Sequence, residues 1–176
     1  MKKYIGFSII ALGLTLTSCD DWLDKLPDNR MELQTPSDVS NLLVSAYPSA
    51  HPAYLLEMYS DNTDDCVNPS WSEASRFQAQ AYKWEDITET GEDESPQELW
   101  NKHYIAIASA NAAIDLIEGK GSPAEYNEQL GEALLCRAYA MFQLSTVFCK
   151  AYNPATASTD LGLPYPTHPE KVVGTV

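Results

Sequence analysis

Positive charge is scarce in this 176-residue chain: 11 Lys and Arg stand against 25 Asp and Glu, which leaves a formal charge of −14 and a pI near 4.4. Phosphate backbones and anionic headgroups are held by clustered Lys and Arg, so nucleic acid is excluded as a partner and an anionic lipid surface is a poor one. Histidine and cysteine are few, three and four, and no CxxC or Cys/His spacing suggests zinc. Glycines at 91, 119, 121, 131, 162 and 174 form no phosphate-cradling loop, and no serine sits in a nucleophile elbow. Strand signals are few. Hydrophobic residues, at 44%, and aromatics, at 10%, are ample for a packed core, so the chain is not disordered by composition.

The first eighteen residues differ from the rest. Lys2 and Lys3 precede the uncharged apolar run Ile5 to Leu16, and small residues at Thr17 and Ser18 lead directly into Cys19. The run falls short of the about 20 residues that cross a membrane, and it has the three regions of a signal peptide. A cysteine directly after the small residues is the pattern of bacterial lipoprotein signals, in which the thiol is lipidated and becomes the first mature residue. Residues 1–18 therefore read as a leader and Cys19 as the lipid-bearing anchor. Residues 19–34, acidic and without sustained periodicity, read as a tether, and residues 35–176 as a helical domain.

Within that domain Thr35-Pro36-Ser37-Asp38 opens a helix with Val39, Leu42, Leu43 and Ala46 at helical spacing and Pro48 closing it. Ala53 to Tyr59 reads as a short helix and Asp61 to Ser72 as a loop. Ser95-Pro96-Gln97-Glu98 is a capping-box sequence, and Ser122-Pro123-Ala124-Glu125 repeats it. After the first, Trp100, Tyr104, Ile107, Ala108, Asn111, Ile114 and Ile117 (or Leu116) share one face, with Gly119 as the stop. After the second, Leu130, Leu134, Ala138, Met141, Phe142, Ser145 and Phe148 share another. Trp100, Tyr104, Tyr139 and Phe142 are expected in the core. Two long helices on a short link form an antiparallel hairpin, the unit of tetratricopeptide-like superhelices. The fold class is mainly α.

On such a helix Cys136 and Cys149 stand roughly 20 Å apart and cannot pair with each other; small buried hydrophobes are the favoured reading. Arg137, among apolar neighbours, calls for a partner on the facing helix such as Asp115 or Glu118. Asp61-Asn62-Thr63-Asp64-Asp65 fails the EF-hand template, with Cys66 at the sixth position and Ser72 at the twelfth. The carboxylate pairs lie in polar loops, where solvation accounts for them, and no catalytic constellation or cofactor site emerges.

The run Trp100, Tyr104-Ile105, Asn111, Ile114, then Glu132-Ala133-Leu134-Leu135-Cys136-Arg137-Ala138-Tyr139 with Phe142 and Leu144, then Asp160-Leu161-Gly162-Leu163-Pro164-Tyr165, resembles the SusD/RagB family of outer-membrane lipoproteins. Cys19-Asp20-Asp21-Trp22-Leu23-Asp24 is similar to that family's mature N-terminus. The resemblance implies a SusD-like α-superhelical N-terminal part of a longer protein, anchored at the cell surface. It further implies non-catalytic capture of glycan, or of peptide in RagB-like branches, for a SusC-type TonB-dependent transporter. A helical-repeat scaffold that binds only protein is the rival. For sugar, an exposed flat ring beside planar polar groups is required. Asn68, Trp71 and Arg76 offer that combination, although Trp71 equally suits a place in the core. For Tyr82 and Trp84 core packing is favoured.

Overall fold

The computed structural model describes residues 34–64, 75–93 and 95–169. Among these residues five α-helices follow in order: α1 Pro36–Leu43, α2 Ala53–Met58, α3 Arg76–Tyr82, α4 Pro96–Gly119 and α5 Asn127–Phe148. Short 3-10 turns, Val44–Ala46 and Ala124–Tyr126, extend α1 and lead into α5. No strand occurs among the described residues, so the chain is mainly α, and all of them lie in one unit, Gln34–Val176.

Local chemistry starts three of the helices. Thr35 Oγ1 accepts from Asp38 N at 3.3 Å while Asp38 Oδ2 accepts from Thr35 N at 2.9 Å, a reciprocal box in front of Pro36. The hydrogen bonds from Thr35 hold the Asp38 carboxyl below its ordinary range. Ser95 Oγ accepts from Glu98 N at 3.3 Å and Pro96 fills the first turn of α4, as read from the sequence, but the return half of the expected box is not made, since Ser95 N donates to Glu92 O at 3.0 Å. Ser75 and Gln78 make a second reciprocal box at α3, a helix that the sequence reading did not include. Its Ser-x-x-Gln signal is present in the sequence.

The second sequence box does not form. Helix α4 ends in a Schellman closure, with Gly121 N donating to Glu118 O at 2.9 Å and Ser122 N to Ile117 O at 3.0 Å. Gly121 takes φ +81° and Ser122 φ +52°, so Ser122 lacks the extended backbone that an N-cap needs. Gly119, expected as the stop, is still helical; the reversal falls on Gly121, where the left-handed conformation requires it.

Helices α4 and α5 run antiparallel, pairing His103 with Gln143 near one end and Asn111 with Arg137 further along. Their contact is built from small side chains, Ala106, Ala110 and Ala113 against Ala133, Cys136 and Ala140, which lets the axes approach closely. Val39, Leu43 and Ala46 of the first segment close over that contact together with Ile114, Ile117 and Tyr126. Fully burying a side chain such as Leu43 contributes about 1.5–3 kcal/mol. Leu55, Phe77, Ala81 and Leu99 form a second cluster that ties α2 and α3 to the start of α4. Ile107, Ala140 and Leu144 form a third, with Trp100, Tyr104 and Leu163 packed on it.

The buried face of α5 is not the one read from the sequence. Ala133, Cys136, Ala140, Gln143 and Leu144 point inward, whereas Leu134, Leu135, Ala138, Tyr139 and Phe142 are exposed, Leu135 to 69% and Phe142 to 65%. Alanine and cysteine win the inward face because close helix packing needs small residues there, and size outweighs hydrophobicity. Trp100 and Tyr104 pack as expected; Tyr139 and Phe142 do not. Cys136 and Cys149 are both free thiols, and burial pushes the Cys136 thiol above its ordinary range.

Candidate functional site

Cys19, Asn68 and Trp71 lie outside the described residues. Arg76 is the first residue of α3, exposed, in a helix start fixed by the residues around it. Gln78 Oε1 accepts from Ser75 N at 2.9 Å, and Gln78 Nε2 donates to the Tyr54 hydroxyl. Phe77 N donates to Glu89 Oε2 at 2.7 Å, so a carboxylate from the following loop satisfies one of the free amides of the first turn. Farther along α3, Gln80 binds that loop again, its Nε2 donating to Thr88 Oγ1 at 3.1 Å and its Oε1 accepting from Thr88 N at 3.1 Å.

Between those two fastenings stands Trp84. Core packing was the favoured reading for it and for Tyr82; instead Trp84 is 74% exposed and Tyr82 is exposed as well. The cause is the end of α3. Trp84 N donates to Ala81 O at 3.0 Å and Glu85 N to Gln80 O at 2.9 Å, a Schellman closure that turns the chain outward with Trp84 at φ +57°. The indole rests edge-on against Tyr59, ring centroids 5.0 Å apart at 62°. Burial, and then the charge of Asp86, push the Tyr59 phenol above its ordinary range. This corner therefore presents a fixed exposed ring with Lys83, Glu85 and Asp86 exposed around it.

A second constellation gathers the residues that carried the resemblance. Arg137 does not pair with Asp115 or Glu118. Its Nη1 donates to Asn111 Oδ1 at 3.0 Å and to Thr167 O at 3.5 Å, and its guanidinium lies 5.7 Å from the centre of the Tyr165 ring. Asn111 Nδ2 donates to Pro166 O at 2.9 Å, Tyr104 Oη donates to Pro164 O at 2.8 Å, and Leu163 enters the core. His168 Nδ1 stands 3.6 Å from Asp115 Oδ1. Residues 161–169 are thus a strap laid along the hairpin. A carboxamide suits the buried clamp position better than a carboxylate, because it can both accept from Arg137 and donate to the strap.

Sequence reasoning missed His103, which entered there only in the count of three histidines. It is buried, with Nδ1 2.7 Å from Leu99 O and Nε2 2.8 Å from Gln143 Oε1, while Gln143 Nε2 donates to Tyr139 Oη at 2.8 Å. Its place on the inward face, four residues after Leu99, was the available signal. This polar chain ties the two long helices together. Among the described residues no three His, Cys, Asp or Glu side chains converge as metal ligands.

No curated protein and no solved structure is significantly similar to the chain. A SusD-like family model, described as starch-binding and associating with the outer membrane, matches residues 21–175. That match takes in all five helices, the hairpin clamp and the strap, and the chain belongs to the SusD-like family.

Proposed function

We propose that this chain is a cell-surface lipoprotein, anchored through lipid on Cys19, that captures polysaccharide or oligosaccharide for import through a SusC-type TonB-dependent transporter. It binds and hands over its ligand without altering it. The observation that carries the reading is the family match over residues 21–175, whose description is binding of starch at the outer membrane. The leader supports the anchor: Lys2 and Lys3, an apolar run, and small residues running directly into Cys19. Asn68, Trp71 and Arg76 are assigned to the ligand on the combination of ring and planar polar groups.

The test is affinity electrophoresis of the mature protein through gels carrying soluble amylose and a panel of other glycans, followed by calorimetry on any hit. Retardation by a glycan, lost in Trp71→Ala, supports the reading; binding to peptides with no glycan retarding the protein overturns its glycan half. The anchor is checked separately, since Cys19→Ala should abolish incorporation of labelled palmitate and release the protein from the membrane fraction.

A second reading, a helical scaffold that binds only protein, is favoured by one observation. Leu135, Ala138 and Phe142 share a helical face of α5 and are exposed, which is unusual for apolar residues in a row. Capture of a protein partner that is lost in Phe142→Ser, with no glycan bound, would select it.

A further inference from the structure

Two helices of this protein end in the same hydrogen-bonded closure, made with different residues at its left-handed position. Helix α4 uses Gly121 at φ +81°, the residue type that adopts this conformation without steric cost. Helix α3 uses Trp84 at φ +57°. For a residue with a Cβ that conformation costs about 1–2 kcal/mol, and it is an outlier for a bulky side chain. Burial offsets it only in part, because the indole is 74% exposed. Tryptophan at this position therefore combines a strained backbone with a ring left mostly in solvent, which is the circumstance in which strain points to function.

We infer that Trp84 is a sugar-stacking platform that takes the apolar face of one glucose-type pyranose of an α-glucan chain. The inference rests on the glycan reading above and adds to it a ring outside the Asn68, Trp71 and Arg76 set. Three features fit the ring to this task. It is held in place before any ligand arrives: Tyr59 abuts it at 5.0 Å, and Gln80 binds the chain after it through its own carbonyl to Glu85 N at 2.9 Å and its side chain to Thr88 N at 3.1 Å. A fixed ring loses little freedom on binding. Its rim is polar, with Lys83, Glu85 and Asp86 exposed and able to meet hydroxyl groups. Its extent is that of one ring. Stable protein interfaces bury about 800 Å² per partner around an apolar core, and a lone indole among charges does not supply that.

The experiment titrates the full mature chain with maltoheptaose by calorimetry, alongside Trp84→Ala, Trp84→Gly and Trp84→Phe, each checked by circular dichroism and thermal melting. Trp84→Ala and Trp84→Gly should bind at least about tenfold more weakly, the scale of one anchoring ring, and Trp84→Phe should keep most of the affinity. The glycine variant keeps the test sound, since its backbone suits the closure better than any other residue. Wild-type affinity in the alanine and glycine variants overturns the inference and leaves the glycan reading standing. Loss in Trp84→Phe equal to that in Trp84→Ala also overturns it, because stacking needs only a flat ring. A wild-type protein that binds neither maltoheptaose nor any other glycan overturns both.

Discussion

Removing the Asn111 side chain should release the strap from the hairpin. Asn111 is 1% exposed, accepts from Arg137 Nη1 at 3.0 Å and donates to Pro166 O at 2.9 Å. A hydrogen bond to a charged group contributes about 1.5–3 kcal/mol and a neutral one about 0.5–1.5 kcal/mol. Arg137 is only partly buried and keeps Thr167 O and the Tyr165 ring, so water recovers part of the first contribution. Asn111→Ala should then cost about 2–3 kcal/mol. At about 2–4 °C per kcal/mol for a domain of this size, the melting temperature falls by about 5–10 °C. Thermal melts of Asn111→Ala, Arg137→Met and the double variant form a cycle, with an expected coupling of about 0.5–3 kcal/mol. An Asn111→Ala protein melting within about 1 °C of wild type, or strictly additive effects in the cycle, would refute the clamp.

Gly131 lies within α5, exposed, with nothing within 4 Å of where a Cβ would sit, so Gly131→Ala should stabilise the protein by about 1 kcal/mol, read as a higher midpoint in urea. At position 84 the usual order of glycine and alanine reverses. The left-handed backbone costs alanine about 1–2 kcal/mol and glycine loses about 0.5–1 kcal/mol in chain entropy, so Trp84→Gly should be the more stable of the two by about 0.5–1 kcal/mol; the opposite order would disprove the closure. Tyr47 Oη donates to Glu132 Oε1 at 2.8 Å, which pushes the phenol up to about 12. Because the neutral form is favoured by the fold, this contribution is complete below the ordinary value of 10.0 and is lost as the pH rises through about 12. Absorbance at the tyrosinate band should show the Tyr47→Phe protein lacking the component that ionises near that upper value.

Much of the helical architecture was legible because its signals are local. The Thr35–Asp38 box and the Ser95–Glu98 cap each depend on residues three apart, and each forms where the spacing placed it. The Ser75–Gln78 box was equally local and could have been read. The Ser122–Glu125 repeat failed although its spacing was right, since the preceding closure had already taken Ser122 N for Ile117 O. Of the ligand residues read from sequence, Arg76 falls at a capped helix start, while Trp84 was read as core because an apolar ring carries no mark of its own exposure.

By itself the sequence determined that the chain is acidic, helical and built on a capped hairpin, since charge, periodicity and capping act over a few residues. Only the tertiary structure decided which face of α5 turns inward, that Arg137 meets a carboxamide and a strap 30 residues away, and that Trp84 stands in solvent. Those outcomes depend on what lies opposite. The hairpin selects small residues where two helices touch, and a distant segment supplies a carbonyl to a half-buried guanidinium, neither of which is written in the spacing of either helix.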